Sequence, residues 1–269
     1  LQLLEKNYSE HTFFNTDVHE LDITNAEAID KFVSSNNIDI IINCAAYTAV
    51  DKAESNKELC QVLNADAPAY LAKAISKRNG WMIQVSTDYV FDGTKNTPYV
   101  ETDSPCPNSV YGSTKLDGEK AVEQACKNTM IIRTAWLYGD GNNFVKTMLK
   151  LSETHDEVSV VKDQLGTPTS AAELARAMAW LLPTANYGIF HGTCEGDTNW
   201  AAFAEAIFKR AGKTTKVNHV TSEQYAKMNP ASANRPAYSI LENYMMKLTD
   251  GYKMAEWQDA LDEYMKTLE

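Results

Sequence analysis

Trp81-Met82-Ile83-Gln84-Val85-Ser86-Thr87-Asp88-Tyr89-Val90-Phe91-Asp92-Gly93, followed by Val110-Tyr111-Gly112-Ser113-Thr114-Lys115, is the stretch on which the fold turns. Trp81 to Ser86 reads as a buried strand with Thr87 at its end. Val110 to Ala125 reads as a helix, which sets Tyr111 and Lys115 four residues apart on one face. An ammonium on that face favours the phenolate and is expected to draw the tyrosine pKa toward neutrality. A hydroxyl from the strand end can then bind the same oxygen as the phenol. These groups suit the protonation of a carbonyl oxygen while hydride reaches its carbon. Tyr-x-x-x-Lys alone is common on solvated helix faces; here it follows a strand ending in Ser-Thr.

Working outward, Thr12 to Asp17 reads as a strand, and Asn25 to Ser35 as a helix capped by Thr24 or Asn25. Ile38 to Cys44, with the apolar run Ile40-Ile41-Ile42 at its centre, reads as a parallel strand expected to be covered on both faces. Glu58 to Arg78 reads as a long helix with Pro68 inside it, where a kink or a late start is expected, and Thr129 to Arg133 as a further strand. Alternating strands and helices imply right-handed crossovers and an α/β fold, a doubly wound, Rossmann-like parallel sheet. Beyond it, Asn143 to Thr154, Ala171 to Leu182, Trp200 to Ala211 and Glu256 to Leu268 read as helices, and Val158 to Val161 and Gly188 to Gly192 as strands. The expected division is residues 1–142 as a nucleotide-binding domain and 143–269 as mostly a smaller substrate lobe, with interleaved returns to the large sheet.

A chain of 269 residues can bury a sizeable core. Its net charge of −11 argues against a nucleic-acid surface, and no apolar run reaches the length of a membrane span. Five cysteines without a Cys-x-x-Cys pair suit reduced thiols in a cytosolic protein, and the five histidines show no metal-ligand spacing.

The chain resembles the extended short-chain dehydrogenase/reductase family along nearly its whole length. The resemblance is carried by Cys44-Ala45-Ala46-Tyr47-Thr48-Ala49-Val50-Asp51-Lys52-Ala53-Glu54, the Ser86–Gly93 run, Tyr111 to Lys115, Arg133-Thr134-Ala135-Trp136-Leu137-Tyr138-Gly139, Asp163 to Thr169, and Arg235-Pro236. It implies Thr87, Tyr111 and Lys115 as the catalytic set. It implies Asp17, Asp22, Ile23, Ala45 and Ala46, with Tyr111 and Lys115, as contacts of NADH or NADPH. It implies Thr48, Val50, Asp88, Tyr89, Trp136 and Arg235 as contacts of a nucleotide sugar. The implied reaction is reduction of the C4 keto group of dTDP-6-deoxy-L-lyxo-4-hexulose to dTDP-L-rhamnose. A homodimer is one implied partner. Glu173 resembles a position that binds Mg2+ at a dimer contact in some relatives, but its co-ligands find no match here.

Asp17 at a strand end would accept the ribose hydroxyls and repel a 2′-phosphate, which favours NADH or indifference between the two cofactors. The glycine-rich turn that receives a pyrophosphate is not found near the start. The resemblance puts it before Leu1, so about 17 further residues are expected upstream in the natural protein. Two other readings stay open: a non-catalytic regulatory subunit like the β subunit of methionine adenosyltransferase, and another nucleotide-sugar reductase or epimerase.

Overall fold

The computed structural model describes residues 2–230, 232–249 and 251–268. The chain forms two compact units that interleave along the sequence. The first is Leu1–Asp92, Ser104–Arg133 and Ala175–Phe190; the second is Gly93–Asp103, Thr134–Leu174 and His191–Glu269.

The first unit is built on a four-stranded sheet in the order β1 (Ile40–Asn43), β2 (Trp81–Thr87), β3 (Thr129–Thr134) and β4 (Gly188–His191). β1 and β2 run parallel with Ile40 opposite Trp81 and Asn43 opposite Gln84. β3 is buried along its whole length, whereas Ile40, Ile41 and Ile42 are only half-buried. That corrects the expectation of a strand covered on both faces, because β1 is the edge of the described sheet. Thr12 to Asp17 does not form the expected strand. A strand exists through its ladder with a neighbour, and none of the described strands lies beside this segment.

Helix α1 (Ala26–Ser35) starts where Asn25 accepts a hydrogen bond from the Ala28 amide, and it buries Ile29 and Val33. These two pack with Leu71, Ile75, Met82 and Val122 in the core of the unit. The helix after β1, α2 (residues 57–76), has a π turn at Val62–Asp66 between two α segments. Here the Ala67 amide donates to the Val62 carbonyl, five residues back. Pro68, next in line, has no N–H for the Asn64 carbonyl. The sequence-based kink at Pro68 is therefore a widened turn just before it.

Helix α3 (Val110–Ala125) has the bounds that its sequence predicts, with Ser109 capping the Gly112 amide. Two of its glycines meet carbonyl oxygens. A Cβ at Gly112 would lie 2.1 Å from the Tyr89 oxygen, and one at Gly118 would lie 2.0 Å from the Asn64 oxygen. The carbonyl that Pro68 leaves without its helical partner is thus the one that α3 packs against.

In the second unit, Val145, Met148, Phe203, Ile207, Trp257 and Leu261 form the core. Strands Glu157–Val161 and Lys216–Val220 pair in parallel. The latter, helix Ser222–Met228 and helix Tyr244–Leu248 were not legible in the sequence. Buried Glu101 ties the Gly93–Asp103 segment into this unit by accepting hydrogen bonds from the His191 and Met245 amides.

Gly118→Ala tests the α3 contact. Alanine improves helix propensity by roughly 1 kcal/mol, but the clash with a backbone oxygen is expected to dominate as overpacking, a net loss of about 1–3 kcal/mol. Urea denaturation reads the sign; a stabilised variant would show that the two helices can separate freely.

Candidate active site

β2 ends at Thr87, which caps the short 3₁₀ turn Asp88–Val90 by accepting from the Tyr89 amide at 3.2 Å. The Thr87 hydroxyl donates to Asp88 Oδ1 at 3.0 Å and is also hydrogen-bonded to the Tyr111 side chain. A threonine has one hydroxyl proton. With that proton on Asp88, the Thr87 hydroxyl must turn before it can donate to anything else. The Tyr111 ring meets the Tyr89 ring edge-on at 5.4 Å. Lys115, buried one turn along α3, donates from Nζ to the Val85 carbonyl at 2.6 Å. Thr87, Asp88, Tyr89, Tyr111 and Lys115 are therefore brought together at the carboxyl end of β2.

Electrostatics at this site differ from the sequence expectation. Tyr111 is not drawn toward neutrality. Burial pushes its phenol up to about 12, and the charge of Asp88 adds to the rise. Lys115 is brought down to about 8 by burial, against the pull of Glu119. Four-residue spacing does put both side chains on one face. The ammonium, however, is directed onto the β2 backbone, and desolvation of the phenolate outweighs any help from it.

At the carboxyl end of β1, Cys44 and Ala45 are exposed and Ala46 is half-buried. The loop that follows is clamped by Asn64 of the π turn, whose Oδ1 accepts from the Tyr47 amide at 2.8 Å and whose Nδ2 donates to the Tyr47 carbonyl and Thr114. Thr48 is exposed in this loop, and Val50 opens a short helix, Val50–Ala53. Asp17 is exposed in a turn, its carboxylate accepting from the Val18 amide, so it does not end a strand. Asp22 is exposed, hydrogen-bonded to Thr24, which holds its carboxyl below the usual range; Ile23 follows it.

Trp136 and Arg235 belong to the second unit. Trp136 has a left-handed backbone, φ 45°, and its ring stacks on Trp200 at 3.6 Å. Arg235 donates to the Ser232 hydroxyl and the Ala233 carbonyl. Buried Glu173 accepts from the Ala255 amide, and no group of three or more metal-ligating side chains is found among the described residues. No described helix is long and apolar enough to cross a membrane.

Sequence reasoning assigned no role to Asn64, Glu119 or the Ser86 hydroxyl. Glu119 could have been found, since it extends the four-residue row of Tyr111 and Lys115. Asn64 carries no local signal, because its partners are far away in sequence.

A parallel sheet with crossover helices, and a strand-end threonine bonded to a Tyr-x-x-x-Lys helix, define the extended short-chain dehydrogenase/reductase class. Within that class the chain belongs to the RmlD substrate binding domain family, which matches residues 2–269. It is similar to dTDP-4-dehydrorhamnose reductase of Escherichia coli, at 38% identity over 94% of this chain and 88% of that protein. The crystal structure of a dTDP-4-dehydrorhamnose reductase from Clostridium acetobutylicum is 46% identical, with a TM-score of 0.95 over 99% of this chain and 95% of that one. That of the Bacillus anthracis dTDP-4-dehydrorhamnose reductase in complex with NADP is 36% identical, with a TM-score of 0.94 over 100% and 95%.

The phenol is expected to keep its proton well above neutrality. Tyrosinate absorbance of wild type minus Tyr111→Phe should stay flat to about pH 10, the unperturbed tyrosine value. A difference signal rising near pH 7 would show that Lys115 activates the phenol after all.

Proposed function

We propose that this chain reduces the C4 keto group of dTDP-6-deoxy-L-lyxo-4-hexulose to dTDP-L-rhamnose, a precursor of cell-surface polysaccharide, with NADH or NADPH as reductant. The observation that carries the reading is Thr87, Tyr111 and Lys115 gathered at the end of β2 in a chain of this family. The names of its relatives, and the NADP held by one of them, support it.

The residues present fit a dinucleotide. Ligands of open parallel sheets bind outside the carboxyl ends of the strands. There the chain offers the small exposed side chains of Cys44 and Ala45, the Lys115 ammonium, and a buried Ser86 hydroxyl without a hydrogen-bond partner among the described residues. A nicotinamide bound there supplies hydride. Tyr111 delivers the proton to the C4 oxygen. Its raised pKa suits an acid, because the proton is in place at neutral pH. Thr87, once turned from Asp88, donates to the same oxygen and stabilises the charge that develops on it. Lys115 carries the positive charge beside the phenol and is available to the ribose.

Ala45, Ala46, Asp17, Asp22 and Ile23 for the cofactor, and Thr48, Val50, Asp88, Tyr89, Trp136 and Arg235 for the nucleotide sugar, are assigned on the resemblance. Trp136 offers an aromatic face and Arg235 a guanidinium suited to a diphosphate. Association into a homodimer is proposed on the same ground.

The test supplies dTDP-glucose with a dehydratase and an epimerase that generate the keto sugar, and follows the absorbance of reduced nicotinamide. Wild type should oxidise the cofactor in step with formation of dTDP-L-rhamnose. Tyr111→Phe should keep nucleotide-sugar affinity and lose roughly 10²–10⁴ in kcat, the scale of a general acid. Turnover near wild type in that variant would remove Tyr111 as the acid.

A further inference from the structure

The buried face of α3 carries a third ionisable group in line with Tyr111 and Lys115. Glu119 lies one turn beyond Lys115, and its side chain is 1% exposed. Both of its oxygens are taken by Arg133 on β3, Nε to Oε1 at 2.9 Å and Nη2 to Oε2 at 2.7 Å. The Arg133 guanidinium in turn lies over the ring of Phe91, 5.2 Å from its centre. Phe91 belongs to the run that starts at Ser86 and carries Thr87. Two ions this deep are expensive to desolvate, and apolar residues of the same size commonly stabilise a fold as well or better. Stability alone is therefore a weak reason for the pair.

We propose that Glu119, clamped by Arg133, is a positioning residue that supplies the counter-charge holding Lys115 as an ammonium beside Tyr111. The inference rests on the role given to Tyr111 and Lys115 above. Lys115 is faced by Glu119 on its own helix, by Cys44 after β1, by Cys60 on α2, and by the Val85 carbonyl on β2. Among the side chains that favour its charged form, Glu119 acts most strongly, ahead of the two thiols. Glu119 itself is faced by Arg133 and Glu123. The fork of Arg133 matters because a lone buried carboxylate takes up a proton and loses its charge. Burial already brings Lys115 down to about 8. A further fall of about one unit would discharge roughly half of it at pH 7.

Glu119→Gln strands a buried guanidinium and can unfold the chain, so the deciding variant is Glu119→Leu with Arg133→Met, an apolar replacement of the whole pair. Lysine labelled with 13C at Cε reports each ammonium, and the Lys115 resonance is identified by its loss in Lys115→Arg. In the folded double variant the Lys115 midpoint should fall by about one pH unit, the low end of what a neighbouring opposite charge gives. The alkaline limb of kcat/KM should move by the same amount. Glu119→Asp, which keeps the charge, should restore most of both. An unmoved Lys115 midpoint in the double variant overturns the proposal, as it would show Glu119 and Arg133 to be structural only. A lowered midpoint with an unmoved pH profile upholds the counter-charge and overturns the part given to Lys115 in the reaction.

Discussion

Helix α3 approaches two carbonyl oxygens, of Tyr89 and of Asn64, so closely that only glycine fits at the contact points. At 3.6 residues per turn, Gly112 and Gly118 fall on either side of the row formed by Tyr111, Lys115 and Glu119. The two close approaches therefore set both the height and the rotation of the helix. A helix held only by interlocking side chains can shift by several tenths of an ångström. Backbone oxygens give way far less than side chains. The Asn64 carbonyl is free to take this position because Pro68, four residues on, has no N–H to hold it. The π turn that accommodates the proline also directs the Asn64 side chain onto both backbone groups of Tyr47. One irregularity in α2 thus positions α3 and the loop after β1 together.

Burial then decides the protonation states along that row. A phenol without water around it keeps its proton, and an amine without water gives its proton up more readily. Tyr111 and Lys115 are moved in opposite directions by the same desolvation, to about 12 and about 8. That outcome suits a reductase better than a phenolate would, since the carbonyl oxygen needs a proton from its acid. Glu119, at the end of the row, is bonded through both oxygens to Arg133 on β3, and removing a single partner of such a buried pair typically costs about 3–5 kcal/mol.

The second unit has its own constraint. Trp136 sits in the left-handed region, a conformation that a bulky residue adopts only when its surroundings overrule the backbone preference. Here the surroundings are Trp200, stacked on its ring, and Gly166, where a Cβ would reach the indole at 2.5 Å. Phe144 and Phe203 extend the aromatic cluster behind Trp200. An indole held this firmly is a defined surface rather than a mobile side chain.

The sequence by itself determined most of the helices, the strands of the four-stranded sheet, and the bounds of α3 to the residue. Those are local properties, set by periodicity, by caps such as Asn25, Ser109 and Asn143, and by the apolar runs of β2 and β3. The four-residue spacing also made Tyr111 and Lys115 visible as a pair, and the strand end made Thr87 visible beside them. Thr12 to Asp17 shows the limit: its pattern is that of a strand, but pairing is not a property of one segment, and no neighbour is present among the described strands. The sign of the Tyr111 shift was equally out of reach. Spacing reports which charges share a face, while burial and the direction of the Lys115 ammonium depend on β2, which the helix meets only in the folded chain. Arg133 and Glu119, fourteen residues apart, became a pair for the same reason: α3 and β3 are separate elements until packing brings their buried faces together.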